Sequence, residues 1–386
     1  MKILLIHNNY GVYSGEEAVV DRQIALFEDL NHEVSVYRKT TENKRGTLIG
    51  NIKGLLQGFY SFSSVKDIKR IMKNNRPDVV VIHNLYPYIS PAILKPIKKA
   101  SVPIIMTIHN YRLMCPTGLF VRNTQPCELC IKGNDWNCVK YNCEHSLIKS
   151  IGYAGRNWYA RRTKAYLNHV DTYACITKFQ VQKLIESGYP KEKMCVIPNF
   201  VDKESQPEFK IGNYVAISGR MSKEKGIDMI LKVAQKTPEI EYLFAGTNRP
   251  EDNLMQNLPS NCRFAGHLSG TELADFYENA RFLVIASRWY EGFPMTVLDA
   301  SMYGKPTIGP AHGGFLEIID YYETGLLFSP GNVAELQEKI VELWNNPQRC
   351  LLFGKQAYLK LEEHYTINAV REKWQNLLEK TAFNLQ

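Results

Sequence analysis

The sequence predicts an α/β protein of two domains, each a parallel β-sheet covered by helices, and three observations predict it. Apolar runs of strand length recur along the chain, stretches with helical periodicity stand between them, and many of the runs stop where a polar loop begins. Parallel sheets need such uninterrupted apolar strands because helices cover both faces, and their ligands collect outside the carboxyl ends of the strands. At 386 residues the chain is long enough for two ordinary cores.

In order, MKILLIHNN opens as a buried strand, GEEAVVDRQIALFEDL (15–30) carries helical periodicity, and HEVSVYR (32–38) returns as a strand. PDVVVIHN (77–84), VPIIMTIHN (102–110) and VDTYACIT (170–177) are further buried strands. VIPNFVDKESQPEF (196–209) gives up a strand for a polar, Pro-containing segment, which places the first domain at 1–198 and the second at 199–368. YVAISGR (214–220), EIEYLFAG (239–246) and ARFLVIASRW (280–289) repeat the design, each before a helix-compatible stretch. Two Rossmann-like halves follow. The terminal 369–386 segment reads as an amphipathic helix with Val370, Trp374, Leu377 and Leu378 on one face.

Bulk properties narrow the function. No apolar run approaches the ~20 residues that cross a bilayer. The first strand runs into HNNYG without a small-residue cleavage pattern, so a cytoplasmic protein is expected. Residues 1–199 hold 28 Lys and Arg against 15 Asp and Glu (net +13), and residues 200–386 hold 19 against 24 (net −5), which together give the +8 of the whole chain. That asymmetry points the first half toward an anionic partner, with a solvated basic surface as the plain alternative. No nucleic-acid-reading motif accompanies the charge, so nucleic acid is not expected and an anionic membrane or phosphorylated acceptor fits better. A G-x-G-x-x-G after the first strand is missing, which weakens a dehydrogenase reading.

The stretch SRWYEGFPMTVLDASMYGKP (287–306) sets Glu291 after a strand, turns at Gly-Phe-Pro, and continues as a helix carrying Asp299. A helix start favours an anion by about 0.3–1 kcal/mol when exposed and up to ~2 when partly buried. Alone, the two acids read equally well as a helix cap and a surface carboxylate. Upstream, SGRMSKEKG (218–226) puts Arg220 and Lys225 in the loop after another strand, with Gly226 opening a helix. Two cations there suit a diphosphate, each charge-assisted hydrogen bond contributing about 1.5–3 kcal/mol. Five cysteines follow the pattern C-x11-C-x2-C-x7-C-x4-C over 115–143, with His145 close behind. In a cytosolic chain that spacing points to structural zinc, with reduced packed thiols as the alternative.

Together these motifs resemble the family 4 retaining glycosyltransferases, whose GT-B fold is two facing Rossmann-like domains. The resemblance rests on SGRMSKEKG (218–226), AGT (245–247), FAGHLS (264–269), the 287–306 stretch and GGFLEIIDYYETGLLFSPGN (313–332), and in the first half on HNNYGVYSGEEAVV (7–20) and TIHNYRLMCPTGLF (107–120). Two departures stand out: the second glutamate of the family's acid pair is Asp299, and the family's Gly-Gly in the first loop is Ser14-Gly15.

The resemblance implies transfer of a sugar, with retention, from a UDP- or GDP-sugar to a saccharide acceptor in surface polysaccharide assembly, with no obligatory cofactor. Arg220 and Lys225 would bind the diphosphate and stabilise the leaving phosphate. Asp299 would accept from the ribose hydroxyls and Glu291 from hydroxyls of the transferred sugar. Gly246 and the main chain at Gly292, Phe293 and Met295 would line the donor. Gly15 would let the first-domain backbone approach the phosphates, and His109 would face the cleft from the acceptor side. His312 and Glu317 are further candidates. Related glycosyltransferases carry cysteines matching Cys115, Cys127, Cys130 and Cys143, the implied zinc set. The fold also implies that the last helix crosses back to the first domain. Within that acceptor domain, 51–77 mixes Leu55, Leu56, Phe59, Tyr60 and Phe62 with Lys53, Lys66, Lys69, Arg70 and Lys73. That mixture suits peripheral attachment to the inner face of the plasma membrane and a lipid-diphosphate-linked acceptor. A GT-B sugar-nucleotide epimerase and a silent nucleotide-sugar binding module are the rival readings.

Overall fold

The computed structural model describes residues 1–9, 15–40, 54, 56–202, 206–248 and 252–383. Ser14, Lys53 and Leu55 lie outside the described residues. The chain divides into two compact units, one of Met1–Phe120, Glu128–Asn199 and Val370–Gln386, the other of Val121–Cys127 and Phe200–Ala369.

The strands of the first unit are β1 (Lys2–Asn9), β2 (Glu33–Thr40), β3 (Val79–Ile82) and β4 (Ile104–Ile108); after the small antiparallel pair β5 (Val121–Arg122) and β6 (Gln125–Pro126) come β7 (Thr172–Cys175) and β8 (Met194–Val196). The first-unit strands pair in parallel in the order β2-β1-β3-β4-β7-β8. Every residue of β3 (VVVI) and β4 (IIMTI) is buried, as a sheet covered on both faces requires. The helix Gly15–Asp29 buries Val19, Val20, Leu26 and Phe27. The helix Phe62–Asn74 starts where the Ser61 hydroxyl accepts from the Ser64 N–H and buries Val65, Ile68 and Met72 at helical spacing. The C-terminal helix Ile367–Phe383 buries Val370, Trp374, Leu377 and Leu378, with Trp374 edge-on to Phe27 at 5.5 Å between centroids. Two polar contacts accompany that packing: His32 Nε2 with Gln375 Oε1 at 3.1 Å, and Arg371 with Asp29.

The second unit repeats the plan with β9 (Tyr214–Ser218), β10 (Tyr242–Ala245), β11 (Cys262–Phe264), β12 (Ala280–Val284), β13 (Thr307–Pro310) and β14 (Gly325–Phe328), all parallel in the order β11-β10-β9-β12-β13-β14. Val215, Ile217, Phe244, Phe282, Val284 and Ile308 from the sheet and Met229, Ile230 and Val233 from the helix Ile227–Ala234 form one core. β9 and β12 are neighbours, so the loops at their carboxyl ends, which carry the sequence-predicted cations and Glu291, emerge side by side.

Candidate functional site

Close backbone packing brings these loops together. Gly226 has φ +71°, and a Cβ there would stand 2.0 Å from the carbonyl oxygen of Ala286, so a bulkier residue would push the loops after β9 and β12 apart. Arg288 ties the same two loops: its guanidinium forks onto Asp228 at 2.8 and 2.7 Å and donates to the Lys223 carbonyl at 2.7 Å. Gly246 approaches Gly219 as closely, its would-be Cβ 1.8 Å from that carbonyl oxygen.

Glu291 is the focus of the result. Its Oε1 accepts from Lys225 Nζ at 2.5 Å, Ser287 Oγ at 2.7 Å and Trp289 Nε1 at 2.7 Å. Burial pushes the Glu291 carboxyl upward, but the Lys225 charge and the three hydrogen bonds outweigh it and hold the group below the ordinary value of 4.5. Glu291 is therefore a carboxylate at neutral pH, partnered by a cation. The Lys225 ammonium also lies 5.4 Å from the Trp289 ring centroid and the Arg220 guanidinium 5.8 Å from it, with Arg220 3.9 Å from Glu224. The structure thus gathers Lys225, Glu291 and Arg220 around one indole.

Asp299 is half-buried on the helix Met295–Met302, whose N-cap, Pro294, supplies no side-chain hydrogen bond. Burial, then the Asp299 charge, drives the Tyr277 hydroxyl well above 10. Gly292 and Phe293 lead into this helix, and the backbone around Glu291 is held from the loop after β13: the Gly314 N–H donates to the Glu291 carbonyl at 2.9 Å. His312 Nε2 bonds the Ser287 carbonyl at 3.0 Å, and burial lowers its pKa below 6.5, so it buttresses the loop as a neutral ring. Glu317 is half-buried, and its carbonyl accepts from Lys360 at 2.8 Å.

In the first unit His109 sits half-buried at the end of β4. Its Nε2 lies 2.7 Å from Nδ1 of His83, which follows β3, and His83 stands edge-on to His7 of β1. Gly15 opens its helix with nothing within 4 Å of a would-be Cβ, so packing does not demand glycine there. None of the nine cysteines is in a disulfide. Among the described residues no group of three or more His, Cys, Asp or Glu can hold a metal ion, so the expected zinc set Cys115, Cys127, Cys130 and Cys143 lacks support. Instead Cys138 hydrogen-bonds Cys143 and feels Cys115 and Cys130, and that bond, then burial, drives its thiol strongly upward: protonated, packed sulfur.

Ser287, Trp289, Arg288 and His83 were not singled out from the sequence. For His83 a signal exists: Ile-His-Asn occurs at 6–8, 82–84 and 108–110, each time at the end of a buried strand.

Residues 13–205 match the family described as Glycosyltransferase Family 4, and residues 200–360 the family described as Glycosyl transferases group 1. An uncharacterized glycosyltransferase of Methanocaldococcus jannaschii is 26% identical, the match covering 98% of this chain and 99% of that one. An uncharacterized 42.6 kDa protein in the cps region of Klebsiella pneumoniae is 26% identical over 74% of this chain and 70% of its own. Among solved structures, Anabaena HepE in complex with UDP and glucose is similar with a TM-score of 0.66 at 16% identity, covering 98% of this chain and 100% of that one.

Proposed function

The chain belongs to glycosyltransferase family 4 and has the GT-B fold, and on that premise we propose that it moves a sugar from a nucleoside-diphosphate sugar to a saccharide acceptor with retention at the anomeric carbon. The observation that carries this reading is the convergence of Lys225, Glu291 and Arg220 at the carboxyl ends of β9 and β12, beside a helix start without a side-chain cap. A diphosphate offers Lys225 a stronger anionic partner than Glu291, and the start of the helix Met295–Met302 favours the same charge. As Lys225 turns to phosphate, Glu291 is released to accept from hydroxyls of the transferred sugar. In this reading Arg220 stabilises the leaving phosphate and Asp299 holds the ribose, while Gly15, Gly246 and the main chain from Gly292 to Met295 leave room for the donor. Attack comes from the face that the phosphate leaves. A UDP-sugar is the first donor to try, since HepE was solved with UDP. The Klebsiella relative's cps location favours surface polysaccharide as the product.

Purified protein would be given UDP- and GDP-sugars with and without a lipid-diphosphate-linked monosaccharide. Thermal stabilisation by one nucleotide class is expected, with donor consumed only when acceptor is present and a product whose anomeric configuration by proton NMR is that of the donor. Inverted product, or donor consumed to an epimer without acceptor, would overturn the reading.

The acceptor is read as lipid-linked because the first unit exposes an apolar and basic surface. Phe62 is 80% and Ile148 74% exposed, Leu56, Tyr60, Leu147 and Ile151 are exposed too, and Lys66, Lys69, Arg70 and Lys73 line the exposed side of the helix Phe62–Asn74. Among the described residues no helix is long and apolar enough to cross a membrane, so peripheral attachment is the form proposed. Liposome sedimentation should grow with phosphatidylglycerol content and fall with salt, since charges are screened beyond ~8 Å at physiological ionic strength. Wild-type protein left in the supernatant at low salt would overturn it.

A further inference from the structure

The His83–His109 contact decides which hydrogen-bonding face His109 turns toward a ligand. The two rings are 16° from parallel with centroids 5.0 Å apart, while Nδ1 of His83 and Nε2 of His109 are only 2.7 Å apart. A nitrogen contact that short excludes face-to-face stacking. The rings lie nearly edge to edge in one plane, so the N–H of one points along the lone pair of the other. One proton occupies the bond, since both rings are neutral at neutral pH: burial, then neighbouring His7, lowers the His109 pKa to about 3, and burial, then His109, drives His83 well below 6.5.

The partner atoms decide which nitrogen holds it. Nε2 of His83 is closed to solvent and has no hydrogen-bond partner. If His109 donated, His83 would carry its proton on that closed nitrogen, leaving a buried N–H without an acceptor. If His83 donates from Nδ1, only a lone pair is left there, which is the smaller loss. We propose that His83 is a positioning residue whose Nδ1–H donates to His109 Nε2, locking His109 in the Nδ1–H tautomer, so that His109 meets an oxygen of the transferred sugar as a hydrogen-bond donor and not as a base. That His109 meets a ligand rests on the family resemblance, which implies that it faces the cleft; the tautomer itself does not.

The test is nitrogen-15 NMR of the imidazoles in purified wild-type protein at neutral pH, with His109→Gln and His83→Gln used to assign the signals. The expected spectrum shows His109 protonated on Nδ1 and bare on Nε2. In His83→Glu, whose carboxylate accepts but cannot donate, His109 should move its proton to Nε2 and transfer efficiency (kcat/KM) should fall about tenfold or more. In His83→Gln, whose amide can donate, the wild-type tautomer and most of the rate should return. A His109 protonated on Nε2 in the wild type, or a tautomer unmoved by His83→Glu, overturns the proposal. If the spectrum is as expected while His109→Ala transfers sugar at the wild-type rate, the tautomer lock stands and the placement of His109 at the ligand fails instead.

Discussion

Replacing Glu291 with Gln keeps the shape and an acceptor oxygen but removes the charge that Lys225 meets at 2.5 Å. A hydrogen bond to a charged group contributes about 1.5–3 kcal/mol and a neutral one about 0.5–1.5, so the Lys225 contact loses about 1 kcal/mol and the Ser287 and Trp289 contacts somewhat less each. Breaking a fully buried pair costs about 3–5 kcal/mol. Here the Lys225 side chain keeps 25% exposure and can rehydrate, so the total should stay near 1–2 kcal/mol, a fall in Tm of about 3–6 °C. The sign of the pH dependence follows from the depressed carboxyl. The unfolded chain binds its proton at higher pH than the folded one, so the contribution is full above the ordinary value of 4.5 and is lost as pH falls through the folded value. Thermal melts of wild type and Glu291→Gln should therefore differ at pH 7 and converge in acid. In a Lys225→Met background the same substitution should cost little. Transfer should fall by about 10²-fold or more, the usual loss when a polar group serving the transition state is removed. Equal Tm values at pH 7, a gap that does not narrow as the pH falls below 4.5, or wild-type transfer by the variant would refute the reasoning.

Four further outcomes are expected. Arg220→Ala should lose transfer by about 10²-fold with an almost unchanged melt, because its 3.9 Å contact with Glu224 is half-exposed, while Asp299→Glu should stay within about tenfold of wild type; donor-consumption assays decide both. Lys305 is fully buried with its ammonium on the Lys210 carbonyl, and burial, then the Lys210 charge, lowers its pKa from 10.5 to about 8. The unfolded chain therefore holds that proton more tightly, so stability should rise between pH 8 and 10.5 by up to about 3 kcal/mol, and denaturant titrations of Lys305→Met should show a flatter curve than wild type over that window. Trp374→Ala should cost about 3–5 kcal/mol, seen as a shifted denaturation midpoint, since it empties the place against Phe27.

What the sequence could say follows from how much each feature depends on its neighbours in space. β3 is an uninterrupted Val and Ile run, β4 is Ile-rich with Met106 and Thr107, and every residue of both is buried, so the α/β class is visible in one dimension. β8, β11, β13 and β14 are three or four residues each, and β13 and β14 contain Gly or Pro; their strand character comes from the partner they pair with. At the site, residue types and loop positions pointed to Lys225 and Glu291, but not to their direct contact across 66 positions. Ser287 and Trp289 were hidden because nothing in residue spacing shows that an irregular loop coils its donors onto one oxygen. The Ile-His-Asn repeats are weak singly. Only the sheet order, which sets β3 between β1 and β4, puts His83 beside His109. The cysteine spacing suggested a metal, but among the described residues no group of three or more His, Cys, Asp or Glu can hold one.

The segment Val370–Gln386 belongs to the first unit, and its contacts close over residues made 342 and 343 positions earlier. Gln375 meets His32 across 343 positions and Arg371 meets Asp29 across 342. A ribosome therefore releases a complete second unit before it releases the piece that finishes the first. Until then Phe27 has no Trp374 over it, and the nascent first unit carries an open apolar patch for the time needed to translate all that lies between, about 15–70 s at 5–20 residues per second. Moving the last helix ahead of residue 1 by circular permutation would shorten that wait, and faster, cleaner folding during synthesis is what the permuted chain should gain.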